Sequence, residues 1–271
     1  MKRLLLLSLL LAGCAAAPRP SFVPGSQGRI HVSDGGAGSA LPIVFVHGNG
    51  ANLTQWSGQL THFRRSRRAV AFDLRGMGWS DVPADGDYSI AAMAGDLHTV
   101  VNALNLDRFI LVGHSYGGPV VAAYAARHPE RVAGAVYADA AGDIKATREQ
   151  SDRYLDALRM DKPRTVRVSF APMLATATDE VKAAVLWSAD RTSTEAFGSA
   201  MEGLRDFDVA RAVSAYRGPM LAIAALDHPS AFHVQFTSVP VRSMEGAGHW
   251  LMMERPAQFN YILQEFADPL R

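Results

Sequence analysis

The chain of 271 residues has a single cysteine, Cys14, which excludes an intrachain disulfide and any cysteine-based metal site. It has no apolar run near the ~20 residues of a membrane-spanning helix. It also lacks an excess of either charge: 27 Lys and Arg stand against 26 Asp and Glu, a formal net charge of +1. No overall attraction to nucleic acid follows from that balance. No repeat of 20–50 residues and no low-complexity tract is visible. The glycines of Ser33-Asp34-Gly35-Gly36-Ala37-Gly38 lack the spacing and following helix of a phosphate-binding fingerprint, and read as a turn. What the chain does have is apolar content, 48% hydrophobic and 20% charged, which suits a packed globular protein. Its length fits one large α/β domain or two small ones.

The short apolar run at the N-terminus has a specific setting. Lys2 and Arg3 precede Leu4 to Ala12, and Gly13, Cys14 and small residues follow, the pattern of an export signal. Leu11-Ala12-Gly13-Cys14 resembles the bacterial lipobox, in which the signal is cut before a cysteine that is then lipidated. That resemblance implies a signal peptide over 1–13, lipidation at Cys14 and a tether over 14–28, rich in Pro18, Pro20, Pro24 and Gly25. Several acyl chains on one residue would anchor the protein stably, where one chain is marginal. Ala15 after the cysteine, as in Gram-negative lipoproteins, implies an outer-membrane protein facing the periplasm. The alternative is ordinary secretion, with cleavage near Ala15 to Ala17 and a soluble periplasmic or secreted product.

Beyond the tether, apolar runs alternate with helical spacing. Arg29–Val32 is a short strand candidate. Ile43–Val46, Ala69–Phe72, Phe109–Val112 and Val132–Ala138 are continuous apolar runs, as expected of strands buried on both faces of a parallel sheet. Helices are expected over 53–63, over 90–104 from Met93, Leu97, Val100, Val101 and Leu104, and from Pro119 to His128, where Pro129 stops the chain. From Asp143 to about Arg211 the chain is polar and helical without a buried strand. Met220–Ala225 and Val239–Met244 resume the strands, and a helix from Pro256 to Phe266 closes the domain. Strands alternating with helices imply a doubly wound, mostly parallel α/β sheet. The core then comprises 29–142 and 212–271, with 143–211 as a helical cap inserted before the last two strands. Ligands in such sheets bind outside the carboxyl ends of the strands.

One such end carries chemistry. Gly113-His114-Ser115-Tyr116-Gly117 follows an apolar strand and opens a helix, which is the nucleophile-elbow pattern G-x-S-x-G. The flanking glycines let strand and helix backbones cross too closely for a β-carbon. The serine is forced into a strained conformation with its hydroxyl outward, and backbone N–H groups at the helix start face an incoming oxyanion. The five-residue pattern alone recurs by chance in on the order of one chain in ten of this length, so a base, an acid and an oxyanion donor must be found elsewhere.

Four motifs in order supply that context: His47-Gly48-Asn49-Gly50, the stretch from Asp73 to Ser80, Gly113-His114-Ser115-Tyr116-Gly117, and Gly246-Ala247-Gly248-His249-Trp250. On these the chain, from Arg29 to its C-terminus, resembles the α/β-hydrolase superfamily. The resemblance implies Ser115 as nucleophile and His249 as its base, since imidazole exchanges a proton near pH 7. It implies an oxyanion hole from the backbone N–H groups of Asn49 and Tyr116. The family order of Ser, acid, His points to Asp227, after the Met220–Ala225 strand, as the acid. The glycine that usually precedes that acid is absent from Ala224-Ala225-Leu226-Asp227. Asp139, at the end of the preceding strand, is the alternative acid.

The expected activity is that of a serine hydrolase cleaving a carboxylic ester or related acyl substrate, with no metal or organic cofactor. The rivals are C–C bond, amide or lactone hydrolysis, or cofactor-free perhydrolysis, in the same pocket, and a non-catalytic ligand-binding lipoprotein with a vestigial triad. Asn49 also resembles the halide-binding Asn of haloalkane dehalogenases, but those use Asp where this chain has Ser115. Asp73 and Arg75 are expected to brace their loop. Arg64, Arg65, Arg67 and Arg68 read as a solvated cationic helix end, with anionic headgroup contact beside the anchor as the sharper alternative. Among Met160, Phe170, Met173, Leu174, Trp187, Phe197 and Met201 of the cap, one or two are expected over Ser115, favouring an apolar acyl or aromatic small-molecule substrate.

Overall fold

A computed structural model describes residues 21–225 and 232–271. The central sheet has eight strands: β1 (Ser21–Pro24), β2 (Arg29–Gly35), β3 (Ala40–Val46), β4 (Arg67–Phe72), β5 (Phe109–His114), β6 (Val132–Ala138), β7 (Met220–Ala225) and β8 (Val241–Met244). Their order is β1-β2-β4-β3-β5-β6-β7-β8. β3 to β8 run parallel, while β2 pairs antiparallel with both β1 and β4. The doubly wound, mostly parallel sheet expected from the sequence is what forms.

The strands are continuous apolar runs because both faces are covered. Val44 and Val46 of β3 point to one layer, with Leu111 of β5 and helices α2 (Ile90–Ala103), α3 (Gly117–Arg127) and α7 (Val209–Ala215). Ile43 and Phe45 point to the other, with Val112 of β5 and helices α1 (Ser57–Phe63) and α10 (Pro256–Ala267). Alternate side chains of one strand thus enter two separate cores, as the two-residue period of a strand requires. The chain leaves β3 for β4 on one side and returns to β5 on the other. The crevice at that reversal, outside the carboxyl ends of β3 and β5, is where an open sheet of this kind holds a ligand.

Between β6 and β7 lie α4 (Arg148–Phe170), α5 (Asp179–Arg191), α6 (Thr194–Arg205) and α7. α4 breaks at Asp161, whose φ of −155° and ψ of 82° leave the helix just before Pro163. Proline cannot supply the helical N–H, and the Asp161 carboxylate instead caps Arg164 N–H at 3.1 Å. α7 crosses the boundary expected at 211: Val209, Ala212 and Val213 pack in the core layer beside α3, so the cap proper is α4 to α6. Its two ends are tied together where Asp143 Oδ1 accepts Val209 N–H at 2.7 Å.

The N-terminal expectation needs another correction. Ser21–Pro24, inside the stretch expected to be tether, is strand β1, and Gly25 N–H closes a turn on Gly28 O at 2.9 Å into β2. Pro24 is tolerated because β1 is an edge strand; its proline-rich setting hid a strand that buries Val23. β2 likewise continues to Gly35, into the expected 33–38 loop. Cys14 and the expected signal lie outside the described residues. No described helix is long and apolar enough to cross a membrane.

Candidate active site

β5 ends in His114 and α3 begins at Gly117, so Ser115 occupies the corner between them. Its φ is +51°, a left-handed conformation that costs a non-glycine residue about 1–3 kcal/mol. The crossing that forces it is visible in the flanking glycines. A β-carbon on Gly113 would lie 2.4 Å from Gly117 O, and one on Gly117 would lie 2.5 Å from Val46 O. Neither neighbour can yield, because both are backbone atoms. Ser115 is half-buried and lines a cavity at the crevice.

The loop after β3 forms the facing wall. His47 is fully buried, donates from Nδ1 to Gly48 O at 2.7 Å and accepts Leu74 N–H on Nε2 at 2.9 Å. Burial lowers its pKa, outweighing the nearby Asp73 carboxylate, so this imidazole is a neutral strut with a fixed tautomer. A β-carbon on Gly48 would stand 3.1 Å from the Ser115 β-carbon, which fixes how near this loop comes to the elbow. Among the described residues the backbone N–H groups of Asn49 and Tyr116 donate to no protein acceptor, and both residues line the cavity beside Ser115. The Asn49 side chain is occupied elsewhere: its Nδ2 donates to Phe197 O of α6 at 2.9 Å.

β8 follows the short α8 (Phe232–Gln235), and His249 lies after β8, just before α9 (Leu251–Glu254). Its Nδ1 meets Asp139 Oδ2 at 2.6 Å, with both side chains buried. The carboxylate thus fixes the proton on Nδ1 and makes Nε2 the basic nitrogen. Asp139 ends β6 with φ +37°, the second left-handed non-glycine residue at the site. It is held there by its N–H to Ile223 O at 2.8 Å and by Ala225 N–H on Oδ1 at 3.4 Å. Of the two acids expected, the structure therefore brings Asp139, the alternative, onto His249. Asp227, the first choice from chain order, lies outside the described residues.

Two further residues hold His249, and neither role stands out in the sequence. His114 donates from Nε2 to His249 O at 2.8 Å, and burial pushes its pKa down to about 3. Glu254 Oε2 accepts Gly248 N–H at 2.9 Å and the Thr176 hydroxyl at 3.1 Å. The signal for His114 was a titratable residue completing a buried strand, which has to be neutral and hydrogen-bonded to remain there.

Phe170, Met173, Phe197, Met201 and Leu204 of the cap, with Ile144 and Trp250, give the cavity its apolar wall around a volume of about 430 Å³. Four of the seven apolar cap residues singled out from the sequence, Phe170, Met173, Phe197 and Met201, line it. Leu174 instead packs under the cap, and Met160 and Trp187 are exposed. No Lys or Arg is among the described lining residues. The described residues contain no group of three or more His, Cys, Asp or Glu arranged to hold a metal.

The remaining motifs are structural. Asp73 accepts Leu53 N–H at 2.6 Å and Trp79 N–H at 2.8 Å, so it braces two loops. Arg75 forms a bidentate pair with buried Asp96 at 2.6 and 2.7 Å. Of the basic run, Arg64 is spent on Ser33, Arg67 on Leu41 O and Asp268, and Arg68 on Asp34 and Leu104 O. Only Arg65 is exposed, which removes the cationic patch a headgroup would need.

An eight-stranded, mostly parallel sheet with helices on both faces and a strained serine at the switch point is the α/β-hydrolase fold. Residues 42–169 match the family model described as alpha/beta hydrolase fold. The chain is 37% identical over 117 residues to 2-hydroxymuconate semialdehyde hydrolase of Pseudomonas sp. (strain CF600), covering 42% of this chain and 41% of that protein. It thus spans about two fifths of the length of that relative. Among solved structures it is similar to a thermophilic esterase from Thermogutta terrifontis, with TM-score 0.81 and 23% identity over 93% of this chain and 99% of that one. It is likewise similar to Est816, described as an N-acyl homoserine lactone degrading enzyme, with TM-score 0.80 and 23% identity over 91% of this chain and 100% of that one.

Proposed function

We propose that the protein is a serine hydrolase of neutral, apolar acyl substrates, with Ser115, His249 and Asp139 as its triad. The observation that carries this is the 2.6 Å contact of Asp139 with His249 Nδ1, in a cavity that Ser115 shares at a left-handed corner. His249 Nε2 takes the Ser115 proton as Oγ attacks the carbonyl carbon. The oxyanion is held by the backbone N–H groups of Asn49 and Tyr116, each worth about 3 kcal/mol at such a site. The imidazolium, steadied by Asp139, returns its proton to the leaving oxygen, and water activated by the same nitrogen then releases the acyl group.

The lining supports a neutral carboxylic ester or lactone. An anionic group placed among these side chains would meet no described Lys or Arg and would carry an uncompensated desolvation cost. A fluorophosphonate probe is expected to label the wild type and not Ser115→Ala; labelling unchanged in that variant overturns the assignment. A panel of p-nitrophenyl esters of increasing chain length, beside aryl esters and lactones, then ranks substrates. The lipobox-like Leu11-Ala12-Gly13-Cys14 supports attachment to the bacterial envelope through Cys14, and a Cys14→Ala variant still found in the membrane fraction would refute it.

A further inference from the structure

The cap touches the catalytic loops as well as the cavity. On the base side, Thr176 of the segment between α4 and α5 donates to Glu254 Oε2, and the same oxygen accepts Gly248 N–H, one residue before His249. The fit is close: a β-carbon on Gly248 would lie 2.4 Å from Thr176 Oγ1 and 3.2 Å from Met173 O. On the oxyanion side, Asn49 Nδ2 donates to Phe197 O at 2.9 Å and Asn52 Nδ2 to Ser188 Oγ at 2.9 Å. Gly50, with φ +67°, backs onto the Phe197 ring, which a β-carbon would strike at 2.2 Å. Met173 and Phe197, which sit at these two contacts, also line the cavity.

From this we propose that cap seating sets the positions of the base and the oxyanion loop, with Glu254 as the positioning residue that passes the cap's position to His249 through Gly248. The inference rests on the serine-hydrolase reading above. A cap that only walls the cavity would govern how tightly long acyl chains bind. A cap that positions the reacting groups also governs turnover of substrates too small to use its wall, because a misplacement of about 1 Å can cost on the order of 10²-fold in rate.

The test is p-nitrophenyl acetate, whose methyl group offers the cap almost no surface. Thr176→Val removes the cap's hydroxyl at nearly constant volume. It is expected to lower kcat on the acetate about tenfold with KM within about twofold, and to slow fluorophosphonate labelling of Ser115 in parallel. Thr176→Ser should restore both. Glu254→Ala should cost on the order of 10²-fold in kcat, and Glu254→Gln, which keeps a carbonyl acceptor for Gly248 N–H, should recover most of it. Ser188→Ala, made on the cap at its other contact, should lower kcat on the acetate in the same way, and serves if Thr176→Val does not fold. The proposal is overturned if cap variants keep wild-type kcat and labelling rate on the acetate, if their losses appear only in KM for long-chain esters, or if Thr176→Ser fails to rescue. A wild type that neither labels nor hydrolyses esters instead overturns the serine-hydrolase reading, a distinguishable failure.

Discussion

The two ends of the proposed triad are built by different physics. Ser115 is placed by backbone contact: Gly113 and Gly117 stand so close to neighbouring carbonyls that only hydrogen fits. His249 is placed by side chains, two of them recruited from distant segments, Asp139 on its ring and His114 on its carbonyl, and one close by, Glu254 on the preceding N–H. Steric placement is written locally and survives as a short motif. Hydrogen-bonded placement is spread over the chain and can be re-sourced, because any acid at the correct spot will do.

The largest effects should break this contrast at its centre. Ser115→Ala is expected to lower kcat for ester hydrolysis by about 10⁶-fold, and Asp139→Asn by about 10⁴-fold through loss of the imidazole tautomer. Asp227→Asn, measured in the same assay, should remain within about tenfold of wild type. The reverse ranking would return the acid to the position that chain order favours. On the steric side, Gly117→Ala forces a β-carbon to 2.5 Å from Val46 O. Overpacking of that kind costs about 1–3 kcal/mol, which should appear as a lowered urea midpoint with unchanged m.

His114 should give a smaller signature that depends on pH. Its folded pKa of about 3 lies below the ordinary value of 6.5, so from pH 6.5 down to about 3 the unfolded chain carries the extra proton. Stability is therefore full above pH 6.5 and is lost as pH falls, with a slope of up to about 1.4 kcal/mol per pH unit for this one proton. His114→Leu should flatten the acid limb of urea midpoint against pH by about one proton. At neutral pH it should lower kcat about tenfold by releasing the His249 carbonyl. The smallest effect is at Arg65→Gln: exposed, and among the described residues paired with His62 alone, it should shift stability by less than about 0.5 kcal/mol.

The strand order could not be read from the sequence, but its parallel, two-layered character could, because residues such as Ile43, Val44, Phe45 and Val46 leave no polar face for solvent. The elbow was legible for the steric reason above. The acid was not: Asp139 and Asp227 both follow buried strands, and their choice depends on which loop delivers a carboxylate to His249, a three-dimensional fact. The strain that marks Asp139, its φ of +37°, leaves no trace in residue type. β1 was missed because Pro18, Pro20, Pro24 and Gly25 dominate that stretch by composition, while an edge strand of four residues needs only Val23 inside. The cap was legible as helical, but its border was not, since Val209, Ala212 and Val213 turn apolar faces to α3 without a break in helical character.

The hydrogen bond from Val209 N–H to Asp143 Oδ1 has an evolutionary consequence. It brings the excursion that carries α4 to α6 back to its starting point, so the core meets the cap as a cassette with adjacent ends. Ser115 and Asp139 precede that cassette in the chain and His249 follows it. A lineage could exchange the whole insert for another, changing the wall of the cavity, without recoding any residue of the proposed triad. The replacement need only supply its own partners for Glu254 and for the Asn49 loop.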